Sequence, residues 1–296
     1  MQIALLILAV LSAGLSGYAV WRDEPLAWRF AASFAEKDDA APNFETVFDY
    51  TVPAGQAHAP AIVPRGAGLD LLWFEGSREG ADDVDIRFAV LRRGDGDDAW
   101  RQVSGGTLMT PQSVSEAFEP RQLVSTLGNT IANESEQDRL FVTVVSVGGW
   151  AMAAVADVTM RDGRPVSAHK LNLSPFLNRS VLVRSPSLPY ADGSQALPAY
   201  FEMGRTHGLL VRLARNGRVR DTRRIAGAVR AIQPMIVPLD DRRAVAFLRD
   251  YDPAGRLLIS RTMDGGQSWS GVERTGIPTP SAPVAALALS GGRILM

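Results

Sequence analysis

The eight residues Thr262-Met263-Asp264-Gly265-Gly266-Gln267-Ser268-Trp269 carry the strongest fold signal in the chain. They follow the pattern S/T-x-D-x-G-x-S/T-W, which suits a tight turn between two β-strands. The carboxylate of Asp264 can accept hydrogen bonds from turn amides two and three residues on. Gly266 can take a positive φ, and Trp269 gives the next strand a large apolar anchor. The turn predicts an architecture and no particular reaction.

A repeat surrounds this turn. Residues 59–63 (APAIV) resemble residues 185–188 (SPSL) and 233–237 (QPMIV), and weaker copies begin near residues 128 and 282. A second apolar run follows each strong copy and ends in a charged residue 15, 16 and 15 positions after the repeat proline: Glu75, Glu202 and Arg249. A third run and a turn follow twice, and residues 95–100 form a degenerate version of the turn at 262–269.

Each repeat unit predicts four antiparallel strands, which is the blade of a β-propeller. The units begin near residues 58, 128, 185, 233 and 282, with an insertion at 104–127. The last unit stops inside its second strand at Met296. We therefore expect an all-β, six-bladed, sialidase-type propeller over 44–296, truncated at the C-terminus or completed by a partner. Residues 44–52 alternate well and are expected to be an outer strand that closes the ring.

Composition excludes several classes of function. The chain has 296 residues, is 46% hydrophobic and carries a formal net charge of −1, so it gives no electrostatic case for nucleic acid. It has no cysteine, which rules out disulfides and thiolate metal sites. Its three histidines (His58, His169 and His207) lack ligand spacing. The sequence predicts no metal and no cofactor.

The N-terminus is apolar. Ile3 to Val20 is an uncharged run of eighteen residues, at the short end of membrane-spanning length. We interpret residues 1–21 as a signal peptide or membrane anchor, with a hydrophobic helix, and residues 22–43 as a tether. A buried core helix is the alternative. The expected location is the cell envelope, either exported to the periplasm or membrane-anchored.

From about residue 44 to its end, the chain resembles bacterial sialidase (neuraminidase)-like proteins of the BNR/Asp-box repeat family. The turn at 262–269 matches the Asp-box, residues 73–86 (WFEGSREGADDVDI) form the strongest match, and residues 233–264 form a second. The resemblance implies an exo-glycosidase in which arginines bind the sugar carboxylate, an Asp is the acid/base, and a Glu-activated Tyr is the nucleophile. On this basis Arg78 and Arg249 bind substrate, and Asp82 or Asp83 donates the proton.

The sequence departs from the family pattern in three places. His58-Ala59-Pro60 stands where the family has Arg-Ile-Pro. Gln233 stands where a Glu should activate the Tyr, and an amide cannot accept that proton. The late Tyr would fall beyond Met296. If this branch does not use a Tyr, Glu75 or Glu202 is the second catalytic carboxylate.

The repeat geometry alone predicts the same site. In a blade, the start of the first strand and the end of the second lie on one face of the ring. The polar residues that this brings to one channel mouth are His58, Asn129, Ser185, Gln233, Glu75, Glu202, Arg249 and, two residues before Glu202, Tyr200. Amides and charged groups of this kind suit sugar hydroxyls and carboxylates.

Structural interpretations stay open for several of these residues. The carboxylates at 79–85 can be a solvated loop, Arg249-Asp250 a structural pair, and His58 a packed residue. Trp73 and Trp150 favour the core over sugar stacking.

Three functions remain. The leading one is a sialidase-like exo-glycosidase that acts on a terminal acidic sugar of a glycan. The second is a non-catalytic glycan-binding or scaffolding propeller, and the third is a hydrolase or lyase for other acidic polysaccharides with His58 as base. The sequence gives no indication of the oligomeric state.

Overall fold

A computed structural model describes residues 2–22, 25–35, 45–94, 99–133, 136, 138–173, 178–225, 230–252 and 255–296. The chain starts with helix α1 (Gln2–Arg22), and its large apolar side chains from Ile3 to Val20 that the structure describes are exposed. Among the described residues, no helix combines the length and the apolar character that crossing a membrane requires. Residues 95–98 of the degenerate Asp-box predicted at 95–100 lie outside the described residues.

The rest of the chain forms antiparallel β-sheets in sequence order. The first contains β1 (Gln56–Arg65), β2 (Gly68–Gly76), β3 (Asp85–Arg93) and β4 (Trp100–Met109), followed by the short helix α2 (Pro111–Ala117). The second contains β5 (Thr126–Ala132), β6 (Arg139–Val145), β7 (Ala153–Arg161) and β8 (Arg164–Lys170), with a 3-10 turn at Gly149–Met152.

The third sheet contains β9 (Val181–Val183), β10 (Leu188–Pro189), β11 (Gln195–Phe201), β12 (His207–Leu213) and β13 (Val219–Ile225). Strands β9 and β10 are two halves of one inner strand, since both pair with β11. The fourth sheet contains β14 (Ala231–Pro238), β15 (Ala244–Asp250), β16 (Arg256–Thr262) and β17 (Glu273–Pro278). A hairpin of β18 (Leu287–Leu289) and β19 (Arg293–Leu295) follows, beside β14.

Neighbouring sheets pack face to face in the manner of propeller blades. One apolar core joins the first and second blades, a second joins the second and third, and a third joins the third and fourth. The β-propeller prediction is thus confirmed, but the six-blade count is wrong for the part of the chain that the structure describes. Four complete blades and one hairpin use the chain from Gln56 to Leu295.

The inner strand of each blade is interrupted at the repeat position. The register shifts between His58 and Ala61, between Leu127 and Thr130, and between Ile232 and Met235. In the third blade the break between β9 and β10 falls at the same place. These bulges leave the repeat residues out of the ladder.

Residues 25–35, here called the N-terminal strap, are docked on the blades. Phe30 is buried with its ring centroid 4.9 Å from that of Tyr190. Arg212, fully buried, lies 4.7 Å from the ring centroid of Trp28 and donates to the Ala27 carbonyl at 3.2 Å. Backbone hydrogen bonds continue the strap across the third and fourth blades to the hairpin: Phe30 to Asp241, Ala31 to Pro189 and Ala35 to Ala288.

Residues 45–52, predicted to be an outer strand, have no strand structure. Phe48 and Tyr50 instead lie on Trp73, with ring centroids 6.0 and 4.9 Å away. Tyr50 also donates to Glu75 at 2.7 Å. Side-chain packing against the first blade therefore replaces the predicted strand pairing.

The predicted Asp-box forms the turn between β16 and β17. Ser268 donates to Asp264 through its amide at 2.9 Å, and the Gly266 amide donates to the Thr262 hydroxyl at 2.9 Å. Gly265 and Gly266 have φ of 76° and 94°. Trp269 packs against the core between the third and fourth blades.

Candidate functional site

A pocket of about 670 Å³ opens where the blades meet. Each blade contributes the loop that follows its second strand, and two inner strands contribute their bulges. Five residues of the predicted site meet in it: Asn129, Tyr200, Glu202, Gln233 and Arg249. The repeat geometry therefore predicted that these five residues lie together.

A chain of hydrogen bonds crosses the floor of the pocket. Arg249 Nη1 donates to Gln233 Oε1 at 3.2 Å, and Gln233 Nε2 donates to the Tyr200 hydroxyl at 3.4 Å. Asn129 Nδ2 lies 3.4 Å from the same hydroxyl and 2.9 Å from the Val183 carbonyl oxygen. The chain links three blades through neutral amides and one phenol.

Tyr200 is not ionised in this setting. Its side chain is 2% exposed, and burial raises the pKa of the phenol well above its usual range. Its two amide neighbours donate hydrogen bonds and cannot remove a proton. Tyr200 therefore positions its neighbours as a neutral group.

Glu202 is the carboxylate best suited to hold a proton. Burial raises its pKa, the charge of Glu79 raises it further, and Arg249 opposes the shift. Glu202 follows β11, and its amide donates to the Ser180 carbonyl at 3.1 Å. Burial and a like charge both favour the protonated form of a carboxylic acid.

Arg249 lines the same pocket as Glu202 and contacts neutral groups. Its Nε donates to Ser281 Oγ at 3.3 Å, and its guanidinium lies 5.2 Å from the Tyr251 ring centroid. In the described part of the chain no carboxylate lies within ion-pair distance of it. The structural pairing of Arg249 with Asp250 is thus not found, since Asp250 pairs with Arg274 at 3.2 Å.

The first-blade residues of the predicted site lie elsewhere. Glu75 and Asp83 line a separate cleft of about 400 Å³ with Asp85 and Arg87. Trp73 donates to Glu75 at 3.0 Å, and two groups of Ser77 hold Asp83. Burial raises the pKa of Asp85, and Asp83 and Glu75 add to the effect.

The remaining predicted residues lie outside the pocket. Arg78 and Asp82 are exposed on the loop between β2 and β3 and line neither site. His58 is exposed and stacks on Phe74 at 5.5 Å. Ser185 lines a different cavity of about 760 Å³ along the inner strands. Among the described residues, no group of three His, Asp or Glu side chains is arranged to hold a metal ion.

Sequence reasoning missed part of the pocket. Glu79 was treated only as a loop carboxylate and Trp150 as a core residue, yet both line it. Met203 and Tyr251 do so as well. One feature of the sequence could have identified these four residues: each lies in a loop that follows the second strand of a blade.

Comparison with known proteins agrees with this architecture. The model of the BNR repeat-like domain matches residues 68–296, so the chain belongs to the BNR repeat-like family. No match was found among curated protein sequences.

Solved structures share the fold at low identity. The Hadza microbial sialidase Hz136 aligns with a TM-score of 0.56 and 12% identity, over 77% of this chain and 48% of the sialidase. This chain therefore spans about half the length of that sialidase.

Two further structures align over most of both chains. A protein of unknown function from Dyadobacter fermentans has a TM-score of 0.60 and 12% identity, over 84% of this chain and 76% of its own. The GH43_1 enzyme from Xanthomonas citri, complexed with xylose, has a TM-score of 0.51 and 12% identity over 75% and 74%. These likenesses show a shared β-propeller fold.

Proposed function

We propose that this protein is a sialidase-like exo-glycosidase that removes a terminal acidic sugar from a glycan. The observation that carries the proposal is Arg249, a guanidinium that lines the pocket and, within the described residues, donates hydrogen bonds to neutral groups. Arginine recognises a carboxylate through paired N–H donors. The chain belongs to the BNR repeat-like family, and its fold resembles that of a known sialidase. Both observations support an acidic sugar as the substrate.

The pocket supplies two carboxylates for the chemistry. Protonated Glu202 gives its proton to the glycosidic oxygen as the bond to the anomeric carbon breaks. Glu79 takes a proton from the water that attacks that carbon, so the products are the free acidic sugar and the shortened glycan. This assignment replaces Asp82 and Asp83, which lie outside the pocket, and it uses no tyrosine nucleophile.

A fluorogenic sialoside tests the proposal. We expect the purified protein to release the fluorophore at mildly acidic pH. Arg249→Ala should lower kcat/KM by about 100-fold or more, since a charged bidentate contact is lost. Arg161→Ala, at an exposed position on the second blade, is the matched control and should leave turnover unchanged. Full activity of Arg249→Ala would show that the site is wrong.

The second candidate is a non-catalytic glycan-binding propeller. It is favoured by the hydrogen bond between Gln233 and Tyr200, because an amide cannot take the proton whose removal would activate the tyrosine. The two candidates separate cleanly. Binding of a sialoside that depends on Arg249 without any release of fluorophore would establish the binding protein and exclude the enzyme.

Export remains a proposal drawn from the apolar N-terminal residues. We infer that the protein reaches the cell envelope. Fractionation of expressing cells, with N-terminal sequencing of the mature chain, tests this. Recovery of the full chain from the cytoplasm alone would exclude it.

A further inference from the structure

In the described part of the chain, the guanidinium of Arg249 makes two hydrogen bonds. Two of its five N–H groups are used, one on Nε by Ser281 and one on Nη1 by Gln233. The other three belong to Nη1 and Nη2, which form the fork that matches a carboxylate. Ser281 is itself fixed, because its hydroxyl also donates to the Asp250 carbonyl at 3.2 Å.

Both residues that hold Arg249 have left-handed backbones. Gln233 and Ser281 each have φ of 52°, a conformation that non-glycine residues rarely adopt. Strained backbone of this kind concentrates at functional sites. Gln233 also precedes Pro234, which makes its conformation still less common.

The first blade has the same backbone bend without an amide side chain. Ala59, at the position equivalent to Gln233, precedes Pro60 and has φ of 56°. The bulge therefore forms without any polar side chain. The amide of Gln233 is not required by the fold, and its role lies in its contacts with Arg249 and Tyr200.

Three other arginines of the fourth blade pair with carboxylates: Arg243 with Asp240, Arg261 with Glu273, and Arg274 with Asp250. Arg256 donates to the neutral Gly276 carbonyl at 2.8 Å. Arg249 is held by an amide and a hydroxyl instead. Its positive charge stays available to a ligand in the pocket.

We propose that Gln233 is a positioning and specificity-determining residue that holds the Arg249 fork towards the pocket without neutralising it, and so selects a carboxylate-bearing ligand. Ser281 assists from the segment after β17. This inference rests on the proposed function, because it assumes that Arg249 binds the acidic group. It predicts that a glutamate at position 233 pairs with Arg249 and competes with the ligand.

Calorimetry on the intact protein tests the proposal with two probes, the methyl α-glycoside of N-acetylneuraminic acid and its neutral methyl ester. We expect the wild type to prefer the acid by about tenfold or more. Gln233→Glu should weaken binding of the acid by about tenfold and leave the ester unchanged. Gln233→Ala should weaken binding of the acid by a few-fold and change binding of the ester less, because Arg249 is no longer held towards the ligand carboxylate. Gln112→Glu, at an exposed position in α2, is the matched control.

A second readout needs no ligand. Phenylglyoxal modifies accessible arginines, and mass spectrometry of the peptides reports each one. We expect Arg249 to react more slowly in Gln233→Glu than in the wild type, with Arg161 as internal standard. Circular dichroism of each variant checks that the fold is kept.

The outcomes separate the two levels of the proposal. A wild type that does not prefer the acid would overturn the proposed function. Slower modification of Arg249 in Gln233→Glu would still support the proposal that Gln233 holds Arg249. If Gln233→Glu changed neither the affinity for the acid nor the rate at which Arg249 is modified, the proposal that Gln233 holds Arg249 would be overturned. A gain of sialoside turnover in Gln233→Glu would also overturn it, since position 233 would then act through Tyr200.

Discussion

Tyr190 donates its hydroxyl hydrogen to the carbonyl oxygen of Gly265 at 2.6 Å, which ties the third blade to the Asp-box turn of the fourth. The same ring packs on Phe30 and stands edge-on to Trp28, 6.4 Å between centroids. The strap, the third blade and the Asp-box therefore form one packed unit. Damage to any of the three is expected to spread to the other two.

Phe30→Ala tests the contribution of the strap. The side chain is 2% exposed, so its removal leaves a cavity between two blades. We expect the free energy of unfolding to fall by about 3–5 kcal/mol in urea titrations. Phe34→Ala is the matched control, because Phe34 is 45% exposed and should change stability by less than about 1 kcal/mol. Equal effects at the two positions would show that the strap is not part of the core.

Gly265→Ala tests the close approach between the Asp-box and the strap. An added Cβ at Gly265 would overlap the carbonyl oxygen of Trp28. Gly291 provides the control, since it has the same φ of 76° and open space around it. Gly291→Ala should lower the free energy of unfolding by about 1 kcal/mol, because alanine disfavours a positive φ. Gly265→Ala should also displace the strap. Limited proteolysis within 25–35 measures the difference, and equal cleavage rates in the two variants would refute the contact.

Asp264→Ala tests the electrostatics of the turn. Burial alone would raise the pKa of Asp264, but hydrogen bonds from Ser268 and Thr262 outweigh it and lower the pKa. The carboxylate therefore adds stability above its unfolded pKa, and this stability is lost as the pH falls through the lower folded value. We expect Asp264→Ala to cost about 1–2 kcal/mol at pH 7 and much less near pH 2. A loss that does not depend on pH would contradict this account.

Local chemistry and repetition explain why most of the fold was predictable. The Asp-box at 262–269 fixes a turn through its own side chains, and the repeat prolines Pro60, Pro186 and Pro234 mark the inner strands. The number of blades was not predictable in this way, because it depends on how many sheets pack around the ring. The strap was missed for the same reason. Phe30 is buried by Tyr190, 160 residues away in sequence, and nothing in its local pattern indicates that contact.

The site was predictable where the repeat determines it. Gln233, Arg249 and Glu202 hold equivalent positions at strand bulges and strand ends, so period and topology place them together. Glu79 and Trp150 lie in loops whose course depends on packing, and the repeat does not constrain them. The resemblance transferred roles to Asp82 and Asp83 by alignment, but the loop at 77–84 carries those side chains away from the pocket.

Tyr200→Phe tests the neutral role of that phenol. The substitution removes only the hydroxyl that Gln233 and Asn129 contact, which should cost about 0.5–1.5 kcal/mol of stability. Turnover of the fluorogenic sialoside should stay within about tenfold of the wild type, because an un-ionised phenol with amide neighbours is not a nucleophile. A complete loss of turnover with the fold intact would make Tyr200 the nucleophile instead.

Glu202→Gln tests the proposed proton donor. Because burial raises the pKa of Glu202, turnover by the wild type should decline as the pH rises through this raised pKa. Glu202→Gln should lower kcat by about 100- to 10,000-fold.

The same pKa shift gives a second readout that needs no substrate. A raised folded pKa means that stability present below the unfolded pKa is lost as the pH rises through the folded one. Glu202→Gln should therefore gain stability over the wild type at pH 8 and match it near pH 4. Glu273→Gln, at a side chain that is 64% exposed, should do neither. Wild-type turnover in Glu202→Gln would assign the proton donor to another residue, and a pH-independent stability difference would show that Glu202 is not held protonated by burial.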